Sequence, residues 1–188
     1  MRHRTRIQLS ATARRLTLTA LALAMLALPL FTSSYGVAQA APAGGALFTP
    51  RLLSPAPDGW TVQATGESTP LLLIAPDHSA SIVLGGEIVG KRASAAEFAD
   101  GAFDGLCTTW TDCEEAGIEA MPVLGGQPGH LRRLSGTTAT GVALTALLAS
   151  YVADGKGYLA IAMAPTSTFS AHEAELRAAL TTIRLGSD

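Results

Sequence analysis

The chain has 188 residues, 48% of them hydrophobic and 15% charged, enough apolar content to bury a core and too much for a disordered protein. Five of its 13 basic residues (Arg2, Arg4, Arg6, Arg14, Arg15) precede the first strongly apolar stretch, whereas all 15 acidic residues follow it, which leaves a net −7 beyond that stretch. A domain so acidic repels phosphate backbones and anionic lipid surfaces, which excludes general nucleic-acid binding and a polybasic membrane anchor.

The basic start, an apolar run from Leu16 to Phe31 and the small-residue ending Ala38-Gln39-Ala40 read as an export signal over residues 1–40, cleaved after Ala40. The run is interrupted by Thr17, Thr19 and Pro29 and falls short of the ~20 apolar residues of a bilayer span, so membrane contact is expected only if the signal is retained. No cysteine follows the run to take a lipid. Arg14-Arg15 lacks the phenylalanine expected of a twin-arginine signal, and the general secretory route is the preferred reading.

Residues 41–56, rich in Ala, Pro, Gly and Ser, read as a linker or an arm lying against the domain, which is expected over 57–188. Pro57-Asp58-Gly59-Trp60 is a turn that delivers a large aromatic. Leu71–Ala75 and Ser81–Gly90 read as antiparallel strands joined through Pro76-Asp77-His78-Ser79, with a bulge expected at Gly85-Gly86. Ser94-Ala95-Ala96-Glu97 has capping-box spacing, so a helix is predicted from there to about Cys107, burying Phe98, Ala102, Phe103 and Leu106.

Cys107 and Cys113 lie in the exported part and form an even count, so a disulfide is expected; its short ring is worth about 2 kcal/mol in the chain-entropy model. The spacing is not C-x-x-C, and Asp112, Glu114 and Glu115 oppose a reactive thiolate, which disfavours a redox pair; zinc lacks further ligands nearby.

Beyond this cysteine loop the pattern predicts a strand over Ile118–Leu124, a turn at Gly125–Gly129 and a strand over His130–Ser135. Val142–Val152 fits either a helical face or a strand. The turn Asp154-Gly155-Lys156-Gly157 and the alternation in Tyr158–Met163 favour a hairpin, hence a strand. Ser170-Ala171-His172-Glu173 repeats the capping-box spacing ahead of a last helix with Leu176, Leu180 and Ile183 on one face, a Glu173–Arg177 pair and Gly186 as terminator. The fold class is α+β: an antiparallel sheet flanked by helices.

The turn before the first hairpin, the capped helix Ser94 to Cys107, the Gly125 to Gly129 turn, the hairpin Asp154-Gly155-Lys156-Gly157-Tyr158 and the closing Thr182-Ile183-Arg184-Leu185 together resemble the PsbP-like superfamily, whose relatives include DcrB-like and LpqN-like bacterial envelope proteins. The resemblance covers residues 57–185. It implies an α/β/α sandwich that binds or helps assemble other proteins, with no shared catalytic residues. The chain departs from the lipoprotein members in lacking the lipidated cysteine.

No nucleophile elbow, zincin helix, Walker loop or Rossmann fingerprint is present, so no catalytic, cofactor or metal residue is assigned and no cofactor is expected. His172-Glu173 has no second histidine, and His172 is expected to face solvent at the helix start. Asp77, His78 and Ser79 fall in a turn without an evident oxyanion hole. Asp100, Asp104, Asp112, Glu114, Glu115 and Glu119 lack the calcium-loop pattern and read as a solvated acidic face rather than a cation site. Arg132 and Arg133, adjacent on a strand, point to opposite faces and are the candidates for a buried salt bridge or for contact with a ligand or partner. The reading is an exported, non-enzymatic binding or assembly domain whose partner is another envelope or secreted protein. The competing reading is a small exported hydrolase or metal-dependent enzyme with an atypical site.

Overall fold

A computed structural model describes residues 46–64 and 70–187; the export signal, its cleavage after Ala40 and the start of the arm lie outside them. In chain order the elements are β1 (Leu47–Phe48), β2 (Arg51–Leu52), β3 (Thr61–Ala64), β4 (Leu71–Ile74), β5 (Ser81–Ile88), α1 (Ala95–Cys107), β6 (Trp110–Val123), β7 (Gln127–Thr138), β8 (Ala143–Ala153), β9 (Lys156–Pro165), α2 (Phe169–Thr182) and β10 (Leu185–Gly186). Eight strands make one antiparallel sheet in the order β3-β4-β5-β9-β8-β7-β6, with β1 added to β5; β2 and β10 pair separately. The α+β class follows directly.

The two helices cover opposite faces, which gives three layers. On one face Phe98, Ala102 and Leu106 of α1 pack with Val83, Leu134, Ala146, Leu148, Ile161 and Met163. On the other, Leu176, Ala179 and Leu180 of α2 pack with Leu73, Ile82, Leu84, Leu147, Ala160 and Ala162. Central strands β8 and β9 are therefore buried on both faces, so apolar residues run continuously along them. This explains why Val142–Val152 also fitted a helical face: a strand with no solvated side has no polar alternation to read. Its register against β7 and β9 is unbroken from Leu144 to Ser150.

The Ser94 capping box forms as expected, with Ser94 Oγ accepting from Glu97 N–H at 3.1 Å and Glu97 Oε2 accepting from Ser94 N–H at 3.1 Å. The second one does not. Helix α2 begins two residues earlier, at Phe169, with Thr168 in place of Ser170 as its cap residue and no side-chain capping bond. Phe169 is buried under Arg133, whose guanidinium carbon lies 5.0 Å from the ring centre. Core packing of Phe169 thus sets the helix start, and Ser170 falls inside the helix. Nor does Gly186 end it: the helix stops at Thr182, and Gly186 pairs with Arg51 in the β10–β2 ribbon.

Gly85-Gly86 is no bulge. Both residues keep regular register opposite Leu159 and Tyr158, and a Cβ at position 86 would strike the ring of Phe48. The glycine is needed because β1 lays an aromatic flat against the strand, and Phe48 meets Tyr158 edge-on at 5.6 Å. Strand β6 also starts earlier than the expected Ile118. It begins at Trp110, so Cys113 lies in a strand and not in a loop.

Candidate functional site

Arg132 and Arg133 occupy successive positions of β7 and reach opposite faces. Arg132, with its side chain only 7% exposed, is ion-paired with Asp100 of α1 through Nη2 and with Glu115 of β6 through Nη1 at 3.3 Å. The ring of Phe103 lies 5.4 Å from its guanidinium carbon. Arg133 reaches α2, where Nη1 donates to Glu173 Oε2 at 2.9 Å. Glu173 also accepts from Arg177 Nε at 3.1 Å, and Arg177 donates from Nη2 to Glu119 Oε1 of β6 at 3.2 Å. Desolvation pulls the Arg177 guanidinium down, but the bonds to Glu119 and Glu173 outweigh it and hold its pKa above the ordinary value. The result is a chain of alternating charges that ties β7, α2 and the edge strand β6 together.

These arginines also explain the acidic residues. Asp100 and Glu115 converge on Arg132 from one side of the sheet and Glu119 on Arg177 from the other, while Asp104, Asp112 and Glu114 stay exposed. Among the described residues no three of His, Cys, Asp and Glu lie close enough together to hold a metal ion.

The second polar cluster, which the sequence did not foretell, joins the turn before β5 to the start of α2. His172, expected to face solvent, is half-buried, and its Nε2 lies 3.0 Å from Ser79 Oγ. Asp77 Oδ1 accepts from Ser79 Oγ at 2.5 Å and from Ser79 N–H at 3.0 Å, and these two bonds hold its carboxyl below the usual carboxylate range. Serine, histidine and aspartate are thus adjacent, but in the wrong order for acyl transfer. In a working triad the histidine takes the serine proton and the aspartate orients the histidine. Here the serine hydroxyl donates to Asp77, and among the described residues no carboxylate is hydrogen-bonded to the imidazole. Three residues beyond His172 on α2, at the same junction, Trp60 Nε1 donates to Glu175 Oε1 at 2.7 Å. The arrangement fastens α2 to the first hairpin. Residues 79 and 172 are 93 positions apart, and nothing local signals their meeting.

Cys107 and Cys113 are bonded to each other, with Cα atoms 5.4 Å apart. The bond joins the last residue of α1 to the beginning of β6 and so fixes the edge strand to the helix that packs beside it. Along its length β6 is exposed from Thr111 to Ala120 apart from Cys113, and Ile118 keeps half of its surface in solvent. His78 is exposed at the tip of its turn with φ of 59°. Among the described residues no helix is long and apolar enough to cross a membrane.

No protein-family model matches the sequence. No curated protein matches it either. Solved structures do. The cyanobacterial PsbP of Synechocystis superposes with a TM-score of 0.54 at 11% identity, over 82% of this chain and 98% of its own. LpqN of Mycobacterium tuberculosis, a protein involved in cell envelope biogenesis, superposes with a TM-score of 0.50 at 14% identity, over 74% of this chain and 86% of its own. The chain has the PsbP-like fold.

Proposed function

We propose that this PsbP-like chain is an exported, non-enzymatic binding or assembly domain of the cell envelope, acting on another envelope or secreted protein. The observation that carries the reading is the use of the polar side chains. Arg132, Arg133 and Arg177 are paired with carboxylates of neighbouring elements, Ser79 bridges Asp77 and His172, and none of these described residues is arranged to activate a nucleophile. The solved relatives add that one protein of this fold is involved in cell envelope biogenesis. Export is supported by the basic-apolar-small pattern of residues 1–40 and by the Cys107–Cys113 bond, which suits an oxidising compartment. The exported form begins at Ala41.

Chemical crosslinking of the exported protein in its own compartment, followed by mass spectrometry, tests both parts. The reading expects a mature chain starting at Ala41 joined to a distinct protein. A chain retaining residues 1–40 points to a membrane anchor, and a chain that captures no protein contradicts the binding role.

A further inference from the structure

Among the described residues, strand β6 closes one end of the eight-stranded sheet, pairs only with β7, and is exposed from Thr111 to Ala120 apart from Cys113. Most of this edge is guarded. Register shifts between Thr111 and Glu114 and between Glu115 and Gly117 bend the strand, and Pro122 brings no N–H. Between them, Gly117–Met121 keeps unbroken register with Arg133–Gly129 of β7 and leaves a straight run of edge backbone. Ile118, 50% exposed, and Ala120, also exposed, lie opposite Arg132 and His130. The disulfide at the head of the strand and the Arg177–Glu119 pair in its middle hold this edge in place before anything binds.

Charge identifies the occupant. Of the seven acidic side chains of residues 93–131, Asp100, Glu115 and Glu119 are ion-paired with Arg132 and Arg177, whereas Asp112 and Glu114 stand exposed on β6, so the excess negative charge of this strand sits at its head, just ahead of Gly117. A second copy pairing edge to edge would bring two such acidic strands side by side, which is unfavourable. A basic strand would be drawn in by the same field. We propose that Gly117–Met121 is a docking edge for an extended segment of a partner protein, one that adds as a further strand with an apolar residue against Ile118 and lysine or arginine on either side. The proposal rests on the binding reading above and gives it a surface.

The probe is a synthetic peptide, Thr-Lys-Val-Lys-Val-Lys-Thr, added to the full exported chain while backbone amide exchange is followed by mass spectrometry. Exchange should slow about tenfold within Gly117–Met121. Glutamate in place of the lysines, N-methylation of alternate peptide amides, or the double variant Asp112→Lys, Glu114→Lys should each weaken binding by about tenfold or more. Protection elsewhere, absence of protection, or equal binding of the N-methylated peptide overturns the proposal. A photoreactive residue placed at Ala120 or at Leu53 separates the two levels. Capture of a protein from Leu53 but not from Ala120 sinks the docking edge and leaves the binding role standing, whereas no capture from any surface position sinks both.

Discussion

Arg132 and Arg133 are neighbours in the chain, yet each serves a different layer: Arg132 is paired with Asp100 of α1 and Arg133 with Glu173 of α2. A strand turns successive side chains to opposite faces, so two adjacent arginines cross-link both helices to the sheet between them. Their burial differs, and so should their worth. Arg132 is 7% exposed and Arg133 41%.

Arg132→Ala removes a buried cation that holds two carboxylates and stacks on Phe103. Both carboxylates keep some access to water, which limits the penalty for leaving them unpaired. The expected cost is about 2 kcal/mol by urea denaturation. Arg133→Ala should cost at most about 1 kcal/mol, because its pair is half-solvated. Equal losses for the two variants would mean that burial does not govern the pairs.

The double variant Cys107→Ser, Cys113→Ser should lower stability by about 2 kcal/mol, since its ring is short. The protein should still fold, with faster amide exchange concentrated at the head of β6. Complete failure to fold would show that the bond supports more than the junction of α1 and β6.

Gly86→Ala places a methyl group where the Phe48 ring lies. Displacing that ring should cost about 1 to 3 kcal/mol and detach β1 from β5, visible as lost exchange protection at Ile88, whose N–H donates to Ala46. Gly85→Ala meets nothing within 4 Å and should be milder.

Leu180, 1% exposed, anchors α2 on the sheet. Leu180→Ala should cost about 2 to 5 kcal/mol and lower the melting temperature clearly. Ending the chain at Thr168 removes Phe169, Leu176, Leu180 and Ile183 from one core layer and should give an aggregated or unfolded product by light scattering and circular dichroism. A monomeric, cooperatively folding product would contradict the three-layer packing.

What the sequence made legible was local. The Ser94–Glu97 box depends on residues three apart, the Asp154-Gly155 turn on adjacent ones, and the opposite aim of Arg132 and Arg133 on strand parity alone. Ser170-Ala171-His172-Glu173 has the same spacing as the first box yet forms none, because burial of Phe169 shifted the helix start. Strand β6 was half-hidden: an exposed edge needs no apolar alternation, so Trp110–Gly117 read as a loop. The Phe48–Gly86 contact, the partners of both arginines and the meeting of Ser79 with His172 join positions far apart in the chain. No short-range pattern encodes them. They follow from the sheet order, in which β9, β8 and β7 lie between the first hairpin, β4–β5, and the acidic edge β6.

The non-catalytic role is tested most directly by quantitative crosslinking of the exported double variant Ser79→Ala, His172→Ala beside the unaltered protein. The account predicts the same protein partner at essentially the same yield, with only a small drop in melting temperature from the loosened junction of α2. Loss of an enzymatic activity in the variant at unchanged stability, with no protein partner captured by either form, would contradict it.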